Sequence, residues 1–223
     1  MNPLVAIEHT LLKADATPHA IEALCDEALQ FGFAGVCVNP AYVPLARARL
    51  VERSRVVSVV GFPLGASSEA ADVCETKWLV SHGVDEIDMV VPVGLALAGR
   101  LDQVTARVRA VREAASGVVL KVILETGYFD SEPLRRLAAA ALEAAPDYLK
   151  TSSGYGPRGA TVEDVELLVS VGDGHTRVKA SGGIRTLDAA RALLAAGASR
   201  LGTSSGASMA RELETERQSA EGR

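Results

Sequence analysis

Charged side chains at the ends of apolar runs are costly to bury and are rarely idle, and three such groups stand out in this chain. Lys150 closes the run DYLK and is followed by TSSGYG, Lys179 sits in RVKASGG, and Asp88 sits in DEIDMVV, where a carboxylate needs a partner to be tolerated. Two readings are open. In one, the two lysines and the aspartate form a buried ion-pair set that only rigidifies the interior. In the other, one amine is a nucleophile while the other two groups tune it and move protons. Imine chemistry gives the second reading physical sense. A free lysine with a pKa of about 10.4 is neutral in only about one molecule in 2500 at pH 7, and the protonated amine cannot attack a carbonyl. A second cation about 4 Å away raises the cost of charging the first by ~4 kcal/mol at an effective dielectric of about 20, or about 3 pK units. Arginine can supply that field but never the nucleophile.

Two glycine-rich segments suggest where an anionic substrate is held. SGGIRT, at Ser181 to Thr186, and LGTSSG, at Leu201 to Gly206, each run into a helix-like stretch. The free N–H groups and the dipole of a helix N-terminus favour a phosphate. The amides around Gly182 and Gly183 and the hydroxyls of Ser204 and Ser205 are the natural ligands. The alternative is a pair of plain tight turns, and their position after the last two strand-like runs favours the phosphate. His9, in IEHTLLK, reads as a structural hydrogen-bonding residue more readily than as a base. Lys121 and Glu86, like Asp88 and Glu125, have the spacing of interior positions on strands with a two-residue period, and so predict a charge network around the site. Tyr155 reads equally as a substrate contact or as packing.

The elements that must carry these groups follow from periodicity. Short apolar runs at 6–10, 34–39, 56–62, 86–91, 118–125, 147–151, 177–180 and 200–203 alternate with stretches of helical spacing at 18–31, 41–53, 68–82, 101–116, 131–145, 161–171 and 186–196, with a short helix after Ser208. Thr17-Pro18 and Thr186 are helix-opening residues, and Gly32 and Gly197 close the same helices. Eight strand–helix units with Val- and Ile-rich runs predict an α/β fold: a single-domain (β/α)8 barrel of the TIM type over residues 1–223. An open doubly wound sheet shares the alternation, but no GxGxxG follows the first run, and the glycine-rich turns cluster after the late ones, where barrels hold phosphate. The polar stretch 212–223, ELETERQSAEGR, is expected to be a flexible tail.

Composition narrows the function classes. The 223 residues are 48% hydrophobic and 23% charged, with a formal net charge of -5 and a pI near 5.5. With no basic run or basic-aromatic stripe, a nucleic-acid partner is not expected, and an anionic small molecule needs a local positive site. Cys25, Cys37 and Cys74 have no CxxC spacing and read as free packing thiols of a reducing compartment, not as a disulfide or metal framework. The first residues, MNPLVAIEHTLLKAD, lack a basic start followed by a long apolar run, and no apolar stretch reaches the ~20 residues that span a bilayer. A cytoplasmic protein without membrane partners is therefore expected. Only five of the 23 basic residues are lysines, Lys13, Lys77, Lys121, Lys150 and Lys179, and three of these lie in apolar strand-like runs.

At these residues the chain resembles the deoxyribose-phosphate aldolase family. The likeness runs from about Ile7 to Gly206 through HTLLK (9–13), GFAGVCVNPAYVPLA (32–46), VVGFPLGASS (59–68), DEIDMVVPVG (85–94), LKVILETG (120–127), LKTSSGYG (149–156), VKASGGIRT (178–186) and LGTSSG (201–206). The resemblance implies a metal-free, cofactor-free class I mechanism. Lys150 would be the Schiff-base lysine, Lys179 the second lysine that lowers its pKa and joins proton transfer, and Asp88 the acid/base of the relay. Gly154, Gly182, Gly183, Ser204 and Ser205 would surround the phosphate of a phosphorylated sugar substrate. A homodimer is a further family expectation. Two departures stand out: Glu8 occupies a position where many members carry Asp, and the chain ends in EGR, whereas some members end in a tail with a terminal tyrosine. Other readings remain: a different imine-forming sugar-phosphate aldolase or transaldolase-like barrel, and a sugar-phosphate sensor that has lost turnover.

Overall fold

The computed structural model describes residues 2–221 and closes the predicted alternation into a barrel. The strands are β1 (Ile7–Leu11), β2 (Gly35–Val38), β3 (Arg55–Val60), β4 (Glu86–Val90), β5 (Val119–Ile123), β6 (Tyr148–Lys150), β7 (Arg177–Ser181) and β8 (Arg200–Thr203). Each pairs in parallel with the next, and β8 pairs with β1 to complete the ring. Outside lie α1 (Pro18–Phe31), α2 (Val43–Leu50), α3 (Glu69–Ser81), α4 (Val93–Leu97), α5 (Leu101–Ala114), α6 (Ser131–Leu142), α7 (Val162–Gly172), α8 (Leu187–Ala195) and α9 (Gly206–Glu221).

Local chemistry sets the helix ends. Thr17 accepts the N–H of Ala20 with its hydroxyl, Pro18 follows where no N–H is needed, and Gly32 closes α1 in the left-handed region at φ 68°. The hydroxyls of Ser68, Thr161 and Thr186 cap α3, α7 and α8 in the same way. Helix α2 stops at Leu50, short of the expected Arg53, because Val51 and Glu52 both turn left-handed (φ 42° and 61°). The five-residue α4 was not expected. The stretch 212–221, expected to be a loose tail, is helical: α9 runs on to Glu221 and buries Met209, Ala210 and Leu213 against the barrel side. The last two residues of that expectation, 222–223, lie outside the described residues.

The apolar core is split by the barrel wall. Its larger part fills the space between strands and helices, and a small cluster of Cys37, Val57 and Val59 from β2 and β3 lies apart from it. Glu8, Glu86, Asp88, Lys121, Lys150 and Lys179 are also buried, each no more than 3% exposed. Such a set is tolerable only if every charge is paired. Among the described residues no helix is long and apolar enough to cross a membrane.

Candidate active site

Strand register brings the charged groups together. Lys150 on β6 lies directly beside Lys179 on β7, and Asp88 on β4 beside Lys121 on β5. Glu8 on β1 has glycine on both sides, Gly35 and Gly202. Gly202 is needed there, because a Cβ on it would come 2.9 Å from Ser181 Cβ and 3.1 Å from Lys179 Cε.

The contacts among the six groups are unequal. Lys121 Nζ reaches all three carboxylates: Glu86 Oε2 at 2.5 Å, Asp88 Oδ1 at 2.9 Å and Glu8 Oε1 at 3.4 Å. Lys179 Nζ donates to Glu8 Oε2 and, at 2.6 Å, to Asp88 Oδ2. Lys150 Nζ has one carboxylate contact, to the same Asp88 Oδ2 at 2.7 Å. Because both amines bind one oxygen, they lie within two hydrogen-bond lengths of each other. From the opposite end of the strands Arg55 approaches Glu86 at 3.3 Å and Arg200 approaches Glu8 at 3.7 Å. With those guanidiniums nearby, the three carboxylates have enough positive charge without a proton on Lys150.

The proton affinities follow this asymmetry. Burial works against a charge on Lys179 and on Lys121, but attraction to Asp88 and Glu8 outweighs it and raises both pKa values. For Lys150 burial is also the largest influence; Asp88 opposes it, the Lys179 ammonium adds to it, and the pKa is lowered. The second ammonium, the cause expected from the sequence, contributes to this lowering, but desolvation is the larger influence. Burial disfavours the charge of Asp88, yet Lys121, Lys150 and Lys179 together hold its carboxyl well below the usual range. Glu8 is likewise lowered, Lys121 and Lys179 outweighing its desolvation. Burial pushes the Cys37 thiol up to about 11, so it is no competing nucleophile.

Above this group a cavity of about 400 Å³ opens at the C-terminal ends of the strands, where barrels of this type work. Lys150 lines it, together with Gly154, Gly182, Gly183 and Ser204. Asp88 and Lys179 do not; they lie beneath, and of the three expected catalytic groups only Lys150 faces the open space. Ser205 is also absent from the cavity lining, and its N–H donates to Thr203 Oγ1 at 2.9 Å. Tyr155 lies along the wall, its hydroxyl donating to Leu12 O at 2.9 Å and its ring edge-on to Phe62. His9 is held by Glu27 at 2.8 Å and packs on Phe33, away from the lining.

Two cations missed in the sequence line the same cavity, Lys13 after β1 and Arg185 ahead of α8, and neither makes an ion pair among the described residues. They supply the local positive charge that an acidic chain needs for an anionic substrate. Lys13 lies just past a strand end, as Lys150 closes one, and the same positional rule marks it.

A barrel with an amine presented from its strand ends is compatible with several chemistries, and comparison with known proteins places this one among the aldolases. The chain is 53% identical over 204 residues to a deoxyribose-phosphate aldolase of Thermus thermophilus, covering 91% of this chain and 93% of that one. A solved aldolase, QR15, superposes with a TM-score of 0.94 at 35% identity over 98% of both chains. A tetrameric deoxyribose phosphate aldolase from Aeropyrum pernix gives 0.89 at 30% identity over 95% of this chain and 91% of that one. The pattern of the DeoC/LacD family aldolases matches residues 4–213. The chain belongs to that family.

Proposed function

We propose that this aldolase cleaves 2-deoxyribose 5-phosphate reversibly to glyceraldehyde 3-phosphate and acetaldehyde, through a Schiff base on Lys150 and with no metal or other cofactor. One observation carries the reading: among the three buried lysines, the one that lines the cavity is the one with a single carboxylate contact and a lowered pKa. The neutral amine of Lys150 adds to the C1 carbonyl of the open-chain sugar, and the carbinolamine loses water to give an iminium. The C3 hydroxyl gives up its proton to solvent in the open cavity, the C2–C3 bond breaks, and its electron pair flows into the iminium. Glyceraldehyde 3-phosphate leaves. The remaining enamine is protonated at C2 and hydrolysed, releasing acetaldehyde and the free amine.

Lys179 is charged in the free enzyme and disfavours a proton on Lys150. Asp88 Oδ2 bridges the two amines, so it orients Lys150 and relays a proton given up by the Lys179 ammonium towards the departing carbinolamine hydroxyl, Lys179 regaining it when the imine is hydrolysed; Asp88 meets the substrate only through the two amines. The phosphate takes the end of the cavity formed by Gly154, Gly182, Gly183 and Ser204, with Lys13 and Arg185 balancing its charge. The Ser205 hydroxyl remains a candidate for the same end.

The test is a product assay. 2-Deoxyribose 5-phosphate should yield equimolar acetaldehyde and glyceraldehyde 3-phosphate, and in the reverse direction acetaldehyde should serve as donor. Use of dihydroxyacetone in place of acetaldehyde would move the chain to another sugar-phosphate aldolase or transaldolase-like activity; binding without turnover would make it a sensor. We also propose a cytoplasmic homodimer, on the family likeness and the unpaired cysteines. Light scattering should give twice the 23.3 kDa chain mass; the Aeropyrum relative is a tetramer, and a mass four times the chain would favour that arrangement here.

A further inference from the structure

Glu125, just past the end of β5, has a left-handed backbone (φ 53°, ψ 58°) although it is not glycine. A residue with a side chain persists there only where its surroundings hold it. The side chain is 2% exposed, and both of its oxygens accept the N–H of Ser153 at 3.2 Å. Ser153 opens the turn that carries Gly154 and Tyr155 along the cavity wall, and its hydroxyl accepts the Tyr155 N–H at 3.0 Å. At the far end of that turn Gly156 abuts the same carboxylate, so closely that a Cβ there would come 2.7 Å from Glu125 Oε1.

The neighbouring residue continues the attachment. Thr126 donates its N–H to Thr151 O at 2.9 Å and its hydroxyl to Asp164 Oδ2 at 2.8 Å. Of these ties from the end of β5 to the end of β6, to the loop after it and to α7, Glu125 is the one that grips the cavity-lining stretch. The turn it grips faces the phosphate end, where a Cβ on Gly182 would lie 3.4 Å from Gly154 Cα. Glu125 itself neither lines the cavity nor joins the six-group charge network.

We propose that Glu125 is a positioning residue for specificity: it holds the Ser153–Gly156 turn beside the Gly182–Gly183 turn, so that the two turns together face one phosphate. The inference rests on the aldolase reading of this cavity. Two substitutions separate the carboxylate from the backbone. Glu125→Gly relieves the left-handed conformation and removes the acceptor, whereas Glu125→Gln keeps an acceptor oxygen for Ser153. The measured quantity is the KM for 2-deoxyribose divided by that for 2-deoxyribose 5-phosphate, with circular dichroism as a check on folding.

That ratio should fall roughly tenfold in Glu125→Gly and return to within about twofold of the wild-type value in Glu125→Gln. An unchanged ratio in the glycine variant overturns the proposal, as does a glutamine variant that behaves like the glycine one. If the wild-type chain turns over neither sugar, the aldolase reading fails instead. Inorganic phosphate, titrated by calorimetry, then decides this inference by itself: its binding should weaken roughly tenfold in the glycine variant, and equal binding refutes it.

Discussion

Lys150 is set apart from two neighbouring lysines by the number of carboxylates it touches, and this difference has measurable consequences. Its pKa is lowered from 10.5, so the reactive neutral fraction grows as pH rises. The kcat/KM should climb with pH and level off below pH 10.5, and a limb still rising beyond that point would mean an ordinary lysine. Replacing Lys179 by leucine removes one of the two influences that lower this pKa, leaving burial to act alone. The limb should move to higher pH, and turnover at neutral pH should fall roughly a hundredfold or more. The change also strips Glu8 and Asp88 of a partner, so Lys179→Leu should lose about 3–5 kcal/mol of stability in urea titrations. Near-wild-type rates at pH 7 in the folded variant would remove the role given to Lys179.

At the scale of elements, the strands are where the fold is most exacting. Among the six buried charges Glu8 is the one flanked by glycine on both neighbouring strands, and Gly202 is the glycine that lies against the charge network. Gly202→Ala would press on Ser181 and on the Lys179 side chain; about 1–3 kcal/mol should be lost, with a drop in activity as Lys179 shifts. Wild-type activity and stability in that variant would show that β8 has slack. The eight strands were legible in the sequence because parallel strands covered on both faces are plain apolar runs. Less of the helical layer was. VGLAL at Val93–Leu97 is apolar throughout and follows directly on a strand, so nothing in its composition marks a separate helix. ELETERQSAE reads as a solvated tail because, over residues 212–219 of α9, Leu213 alone is turned inward. Lys150, Lys179 and Asp88 were legible because charges inside apolar runs are conspicuous. Arg185 was not, since a basic residue in a loop looks like any solvated one until the cavity is seen; Lys13 shares the strand-end position but stands past its run instead of inside it, so its signal is weaker. Glu8 stands out in the sequence only as a departure from the family's Asp, because pairing it with Lys179 requires the barrel to close β8 on β1.

For the molecule as a whole, the ionic interior makes stability depend on pH from both sides. Asp88 and Glu8 have folded pKa values below their ordinary 3.8 and 4.5. Their contribution is present above those values and is lost as pH falls towards the lowered ones. Lys121 and Lys179 have folded values above 10.5, so their contribution is present below 10.5 and is lost as pH climbs through the raised values. Lys150, shifted the other way, tilts stability slightly upward with pH on the approach to 10.5. The urea midpoint should therefore hold a plateau between about pH 4.5 and 10.5 and drop on either side. A midpoint falling steadily from pH 8 to pH 5 would contradict this charge assignment.

The measurement closest to the centre of this account is reductive trapping. The protein is incubated with acetaldehyde and borohydride, and the modified peptide is mapped. One two-carbon adduct is expected, on Lys150, with Lys121 and Lys179 unmodified because both remain protonated in the interior. An adduct on either of those lysines, or intact protein with no adduct at all, would contradict it.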